Sequence, residues 1–292
     1  PFSPVKAAYV AAYRGPMAIG QFDDLLCLTP MNASAYSDLK EATHSQANVV
    51  QVRHPSLTAV QRASVEDSVG LRRSLGLADH EHLLGLFPGS REGEIRRLLP
   101  TMLAAAEDLL AARGDLRAVV SVAQSDIAKT VVECIGRCRQ GRPSRVHWTD
   151  RPARKLLSAC CHAVVATGTL TLEAALLGVR ATAVYNVPTA TRFILRPLFR
   201  HGRINGQPAP FALPNAILAF RGASVAAMPY REVTLRHFRP GNVSRAAMTC
   251  LPSSPHSNDC PPLLPRETID ELLAALCPCP EAPSAEQYVL NA

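Results

Sequence analysis

From Leu83 to about Ala227 short apolar runs alternate with amphipathic ones, and this alternation constrains the fold more than any other feature. Leu83–Phe87, Leu116–Val122, Val146–Trp148, Ala163–Ala166 and Ala181–Tyr185 read as buried strands. Between them Glu92–Arg113, Asp126–Arg137, Pro152–Ser158 and Leu170–Leu177 read as helices. The first of these repeats apolar residues at Ile95, Leu98, Leu99, Met102, Leu103 and Ala106, the spacing of a one-faced helix. Pro152 stands in a first turn, where its missing N–H is harmless, and Gly178 ends the last helix. Strands joined by helices through short connections predict βαβ units around a parallel sheet, hence a doubly wound α/β domain.

The flanks differ in texture. Before residue 80 the signals are mixed: strand candidates at Leu25–Leu28 and Val49–Val52, with a helix near Asp38–Ala42 between them. Nine of the last 53 residues, from Pro240 onward, are proline, so Thr249 to Pro265 reads as a linker. One short helix is expected after it, with Thr268 and Glu271 at capping-box spacing and Ile269, Leu272, Leu273 and Leu276 on one stripe. The expected divisions are therefore 1–80, 81–240 and 241–292. Pro1 opens the chain without Met or a leader pattern, which reads as a fragment.

Composition narrows the function. Hydrophobic types at 47% and charged types at 19% supply an ordinary core. The longest apolar stretch, Leu156 to Val179, is interrupted by His162, Glu173 and two glycines, so no membrane span is expected. A net charge of +7 favours anionic partners. Aromatics at 5%, with no basic patch interleaved among them, argue against nucleic acid. Nine cysteines without a regular framework suggest free thiols in a reducing compartment. No metal or cofactor is expected. Cys134 and Cys138 are too few for a site, Cys250, Cys260, Cys277 and Cys279 lack paired spacing, and His80-Glu81-His82 alternates its faces.

In open α/β sheets ligands sit beyond the carboxyl ends of the strands, and two turns there have suitable chemistry. In Pro88-Gly89-Ser90-Arg91-Glu92, Gly89 allows close approach to the backbone. Ser90 can cap the helix or donate to a phosphate, and Arg91 adds a full charge to the helix N-terminus. In Thr167-Gly168-Thr169-Leu170-Thr171-Leu172-Glu173, small residues and hydroxyls form a second anion nest. Glu173, just past the first turn, could accept both hydroxyls of a ribose, although a carboxylate there also suits the helix dipole. Together the turns fit a nucleoside diphosphate. A third element, Leu213-Pro214-Asn215, could present the Asn215 amide to a sugar or base, or be a plain helix start.

Three motifs in this order resemble the lipid-A-disaccharide synthase family: Pro88–Ile95 with Leu98-Leu99-Pro100, Gly168–Leu176, and Leu213–Ala219. The Ala183-Val184-Tyr185 strand fits too, and a fainter likeness runs through Ala12-Tyr13-Arg14, Pro30 and His54-Pro55. The resemblance implies a glycosyltransferase with two Rossmann domains (the GT-B type), of which residues 81–240 are the half that binds a UDP-sugar donor. It implies transfer of 2,3-diacylglucosamine from its UDP conjugate to 2,3-diacylglucosamine 1-phosphate, with inversion and release of UDP and no metal. Gly89, Ser90, Arg91, Thr167, Gly168, Thr169, Glu173 and Asn215 are the expected UDP contacts.

The sequence also departs from the family. Its acceptor domain and expected general base would precede Pro1, Pro30-Met31-Asn32 and Arg53-His54-Pro55 alter middle motifs, Tyr230 stands where a Glu is expected, and the proline-rich tail has no counterpart. The competing expectation is a catalytically incomplete nucleotide-sugar-binding homologue or interaction protein.

Arg192, Arg196 and Arg200 recur every fourth residue, with Arg203 one turn on, beside Phe193, Leu195, Leu198 and Phe199. Such a basic amphipathic helix either faces water or lies on an anionic membrane surface, and acyl-bearing substrates favour the surface. The expected location is cytoplasmic and peripheral at the inner face of a bacterial membrane, or an organelle interior in a eukaryote. A homo-oligomer is compatible with this reading.

Overall fold

A computed structural model describes residues 22–63, 68–139, 145–194, 203–204, 207–251, 264–279 and 282–291. Its first unit is a parallel pair, β1 (Asp24–Cys27) and β2 (Asn48–Gln51), joined by α1 (Pro30–Thr43). Thr29 caps α1 by accepting from the Asn32 N–H, and His44 closes it with a left-handed φ of 52°. The next two helices, α2 (Pro55–Ala63) and α3 (Ser68–Ser74), lead to the main sheet.

That sheet holds β3 (His82–Phe87), β4 (Leu116–Ser121), β5 (Val146–Thr149), β6 (His162–Ala166), β7 (Ala181–Tyr185) and β10 (Arg231–Thr234). All six strands are parallel, in the order β10-β7-β6-β3-β4-β5. The chain builds outward from β3 to β5, then returns to β6 and builds the other way, so the order reverses between β3 and β6. Strands covered on both faces are apolar throughout, and all six residues of β3 are buried. A two-residue antiparallel pair, β8 (Arg203–Ile204) with β9 (Gln207–Pro208), stands outside the sheet.

Helices cover both faces. On one side lie α4 (Glu92–Ala112), α5 (Ala128–Arg139) and α10 (Pro240–Met248), packed with Leu84, Leu86, Val120 and Val164 in one core. On the other lie α6 (Ala153–Ala159), α7 (Thr169–Leu176), α9 (Leu213–Phe220) and α11 (Arg266–Leu276), around Leu83, Phe87, Val165 and Leu172. Two short helices complete the set, α8 (Thr189–Ile194) after β7 and α12 (Ala285–Asn291) near the end.

The stretch after residue 240 contributes more than a tail. Val243 and Ala247 of α10 are buried in the first core, and Leu272 and Leu276 of α11 in the second. The expected capping box is absent: α11 begins at Arg266 with Pro265 as its N-cap, so Thr268 and Glu271 lie inside the helix. Leu273 of the expected stripe is 40% exposed. Residues 252–263 of the expected linker lie outside the described residues. The chain then returns to the first unit, where the Arg53 N–H donates to the Pro283 carbonyl at 3.0 Å and Tyr288 Oη to Asp24 Oδ1 at 3.3 Å.

Candidate functional site

Phe87 of β3 sits opposite Val165 of β6 in register, so both strands end side by side. The turns that follow, Pro88–Arg91 and Thr167–Gly168, therefore leave the sheet together at the point where strand order reverses. In doubly wound folds the crevice for ligands opens there. The Thr167 N–H ties the second turn to β7 by donating to the Val184 carbonyl at 2.9 Å.

The first turn requires glycine. Gly89 has φ +104°, and a Cβ there would lie 2.8 Å from Glu94 Oε2. Ser90 does not cap α4. The N-cap is Arg91, in extended conformation, and no side chain covers the first turn. The two acids of that turn are drawn sideways, Glu92 to Arg96 at 2.8 Å and Glu94 to Arg91 at 3.4 Å. The Arg91 side chain is 75% exposed, so this pair is solvated and weak, and an incoming anion can take the guanidinium. The second turn matches the first: α7 starts at Thr169 after Gly168, again with no side-chain cap, and no atom lies within 4 Å of a Cβ built on Gly168. Two uncapped helix starts thus follow two strands paired in register, with the exposed Arg91–Glu94 pair at the first of them.

Glu173 is buried one turn into α7. Arg154, at the start of α6, grips it side-on: Nε donates to Oε2 and Nη2 to Oε1, both at 2.9 Å. Ser56 Oγ approaches Oε1 at 3.4 Å from the far side. Ser56 belongs to the His54-Pro55-Ser56 turn, whose His54 Nδ1 accepts from the Ser56 N–H at 3.1 Å. Burial pushes the His54 imidazole down to about 4 against the opposing pull of the Glu173 charge.

Asn215 corrects an expectation. Its amide is spent inside the protein, Nδ2 donating to the Tyr230 carbonyl and to Glu232 Oε1, both at 2.8 Å, and Oδ1 accepting from the Tyr230 N–H at 3.1 Å. Glu232 in turn accepts from the Phe211 and Ala212 N–H groups at 2.8 and 3.0 Å, tying the turn ahead of α9 to β10. Asn215 therefore fastens α9 to β10 and offers no free amide to a ligand.

The arginine series is also redrawn. Arg192 lies on α8, but Nη2 donates to Asn186 Oδ1 at 2.7 Å, binding it to the loop after β7. Arg203 is in β8 and does not continue that helix, while Arg196 and Arg200 lie outside the described residues. Phe193 is 76% exposed. No helix among the described residues is long and apolar enough to cross a membrane, and none of their His, Cys, Asp and Glu side chains cluster as metal ligands.

A cleft of about 920 Å³ runs along the outer edge of β10, past Phe211, Met228, Tyr230 and Val233. Its walls are mainly apolar, and Asn215 and Arg231 are among the residues that line it. Sequence reasoning missed Arg154, Ser56 and Glu232. Each acts through a partner 17 or more residues away on another element, which leaves no local pattern to find.

The family model for lipid-A-disaccharide synthetase matches residues 20–215. The lipid-A-disaccharide synthase of Azotobacter vinelandii is 33% identical over 200 residues, covering 67% of this chain and 47% of that protein. That of Persephonella marina is 30% identical over 179 residues, 60% of this chain and 45% of that protein. The chain thus spans about half the length of the curated relatives it matches. Among solved structures, the S. aureus MnaA–UDP co-structure superposes with a TM-score of 0.51 at 14% identity, over 90% of this chain and 63% of that one, a likeness of fold. The motifs around Arg91 and Glu173 lie within the matched region, and the chain belongs to the lipid-A-disaccharide synthase family.

Proposed function

We propose that this chain binds the UDP-sugar donor of a glycosyltransferase, with the pyrophosphate at the β3/β6 crevice. The observation that carries the proposal is the pair of uncapped helix starts, α4 and α7, that follow adjacent strands paired in register, with the exposed Arg91 at the N-cap of the first. Backbone N–H groups around Gly89, Ser90, Gly168 and Thr169 supply donors, Thr167 and Thr169 add hydroxyls, and Arg91 supplies charge. Glu173 faces the ribose.

The reaction follows from what leaves. An acceptor hydroxyl attacks the anomeric carbon of 2,3-diacylglucosamine, the bond from that carbon to the β-phosphate oxygen breaks, and UDP departs with the electron pair. The acceptor, diacylglucosamine 1-phosphate, loses its hydroxyl proton to a base outside this half. Charge grows on the β-phosphate as the bond breaks, and preoriented N–H dipoles with Arg91 stabilise it without a metal. We further assign the exposed Phe193, on α8, to contact with the membrane that carries the acyl substrates.

The test is ligand-dependent melting of the whole chain. UDP raises the melting temperature in proportion to the logarithm of its concentration above Kd, and inorganic phosphate does so far less, because one phosphate fills a fraction of the crevice. Arg91→Ala weakens UDP binding by roughly 10–100-fold, the range for a lost charge-assisted contact. A wild-type melting curve indifferent to millimolar UDP refutes the proposal.

A further inference from the structure

Glu173 could reach a ribose only if something fixes its carboxylate, and the structure contains that device. Arg154 contacts it through both Nε and Nη2 at 2.9 Å, a two-point grip that sets the plane of the carboxylate as well as its position. A carboxylate has about four acceptor sites. Arg154 takes two, and Ser56 Oγ a third at a long 3.4 Å. One is therefore open, and the Ser56 contact is weak enough for a second hydroxyl to replace it. The Glu173 side chain is 8% exposed and that of Arg154 44%, so the carboxylate is sheltered while its holder reaches solvent.

Fastening α6 to α7 does not require this pair. Leu156, Leu157 and Leu172 are already fully buried between these helices and the sheet, and an apolar contact would avoid the desolvation of two charges. The pair joins the start of α6 to the second turn of α7, and both helices begin at the carboxyl end of the sheet.

We propose that Arg154 is a positioning residue for ribose recognition: it holds Glu173 so that the carboxylate accepts from both sugar hydroxyls of a bound nucleoside diphosphate, with Ser56 yielding to the second. This rests on the nucleotide reading above. Its readout is discrimination between UDP and 2′,3′-dideoxy-UDP, titrated calorimetrically into the full chain. The wild-type chain prefers UDP by at least about tenfold, the scale of hydrogen bonds to a charged acceptor. Arg154→Ala removes most of that preference by weakening UDP and leaves the dideoxy affinity unchanged, matching Glu173→Gln. Arg154→Lys, which offers one contact in place of two, retains an intermediate preference and carries the test if the alanine variant does not fold. A preference as large in the Arg154 variants as in the wild type, or an equal loss for both nucleotides, overturns this inference alone. A wild-type chain that binds neither nucleotide overturns the nucleotide reading as well.

Discussion

Two histidines are buried without a charge of their own, and they set the response of the chain to acid. His162 on β6 is fully enclosed, its Nε2 3.0 Å from Thr182 Oγ1, and burial pushes its imidazole down to about 3. His54 is pushed down to about 4 by the same cause. Both rings are neutral in the folded chain but take up protons near 6.5 once unfolded. The unfolded state then binds more protons, so their contribution to stability is whole above that value and is lost as pH falls through 6.5 toward 4 and 3. Each pH unit inside the window costs about 1.4 kcal/mol per histidine. Glu232, whose carboxyl is raised by burial, acts in the opposite sense and offsets part of the loss. Urea unfolding between pH 7 and pH 4 should show falling stability that a His162→Val chain shows less steeply; parallel curves for the two would refute the assignment.

At the scale of elements, the ties between α9 and β10 separate structure from ligand binding. Asn215 joins them through three hydrogen bonds, and Glu232 holds the turn ahead of the helix from the strand. Asn215→Ala leaves buried groups of Tyr230 and Glu232 without partners, so about 2–4 kcal/mol of unfolding free energy is lost. UDP affinity is expected to be unchanged, because both amide hydrogens are already donated inside the protein. A tenfold fall in UDP affinity at retained fold would return Asn215 to the site.

The same elements show what the sequence makes legible. From β3 to β7 every strand and helix could be read directly, because buried parallel strands are continuously apolar and the helices between them keep a 3.6-residue stripe. The strand β10 could not: Arg231-Glu232-Val233-Thr234 is an edge strand with one buried residue, and its role depends on pairing with β7. The helix α10 was hidden by the proline count, although Pro240 is at its first turn, where proline favours a helix. Around the site, the glycine turns and Arg91 were legible because their chemistry is local. The partners of Glu173 and Asn215 were not, because contact across elements has no spacing in sequence.

For the whole molecule, function depends on strand order. The turns after β3 and β6 are about 80 residues apart in the chain and become neighbours only because the sheet reverses direction between those strands. The return of α11 and α12 to the first unit, through Gln51 Nε2 donating to the Ala275 carbonyl at 2.8 Å and through the Arg53–Ser284 bridge, braces the His54-Pro55-Ser56 turn against α7. The crevice and the apolar cleft along β10 are separate places on this molecule, so a titration that locates the nucleotide decides between them. In amide-resolved NMR of the full chain, UDP is predicted to shift the signals of Gly89, Ser90, Gly168 and Thr169 together along one saturation curve. Signals from Gly222, Val225 and Met228 beside β10 are predicted to stay in place. Movement of that second group alone, or of neither, would contradict the account.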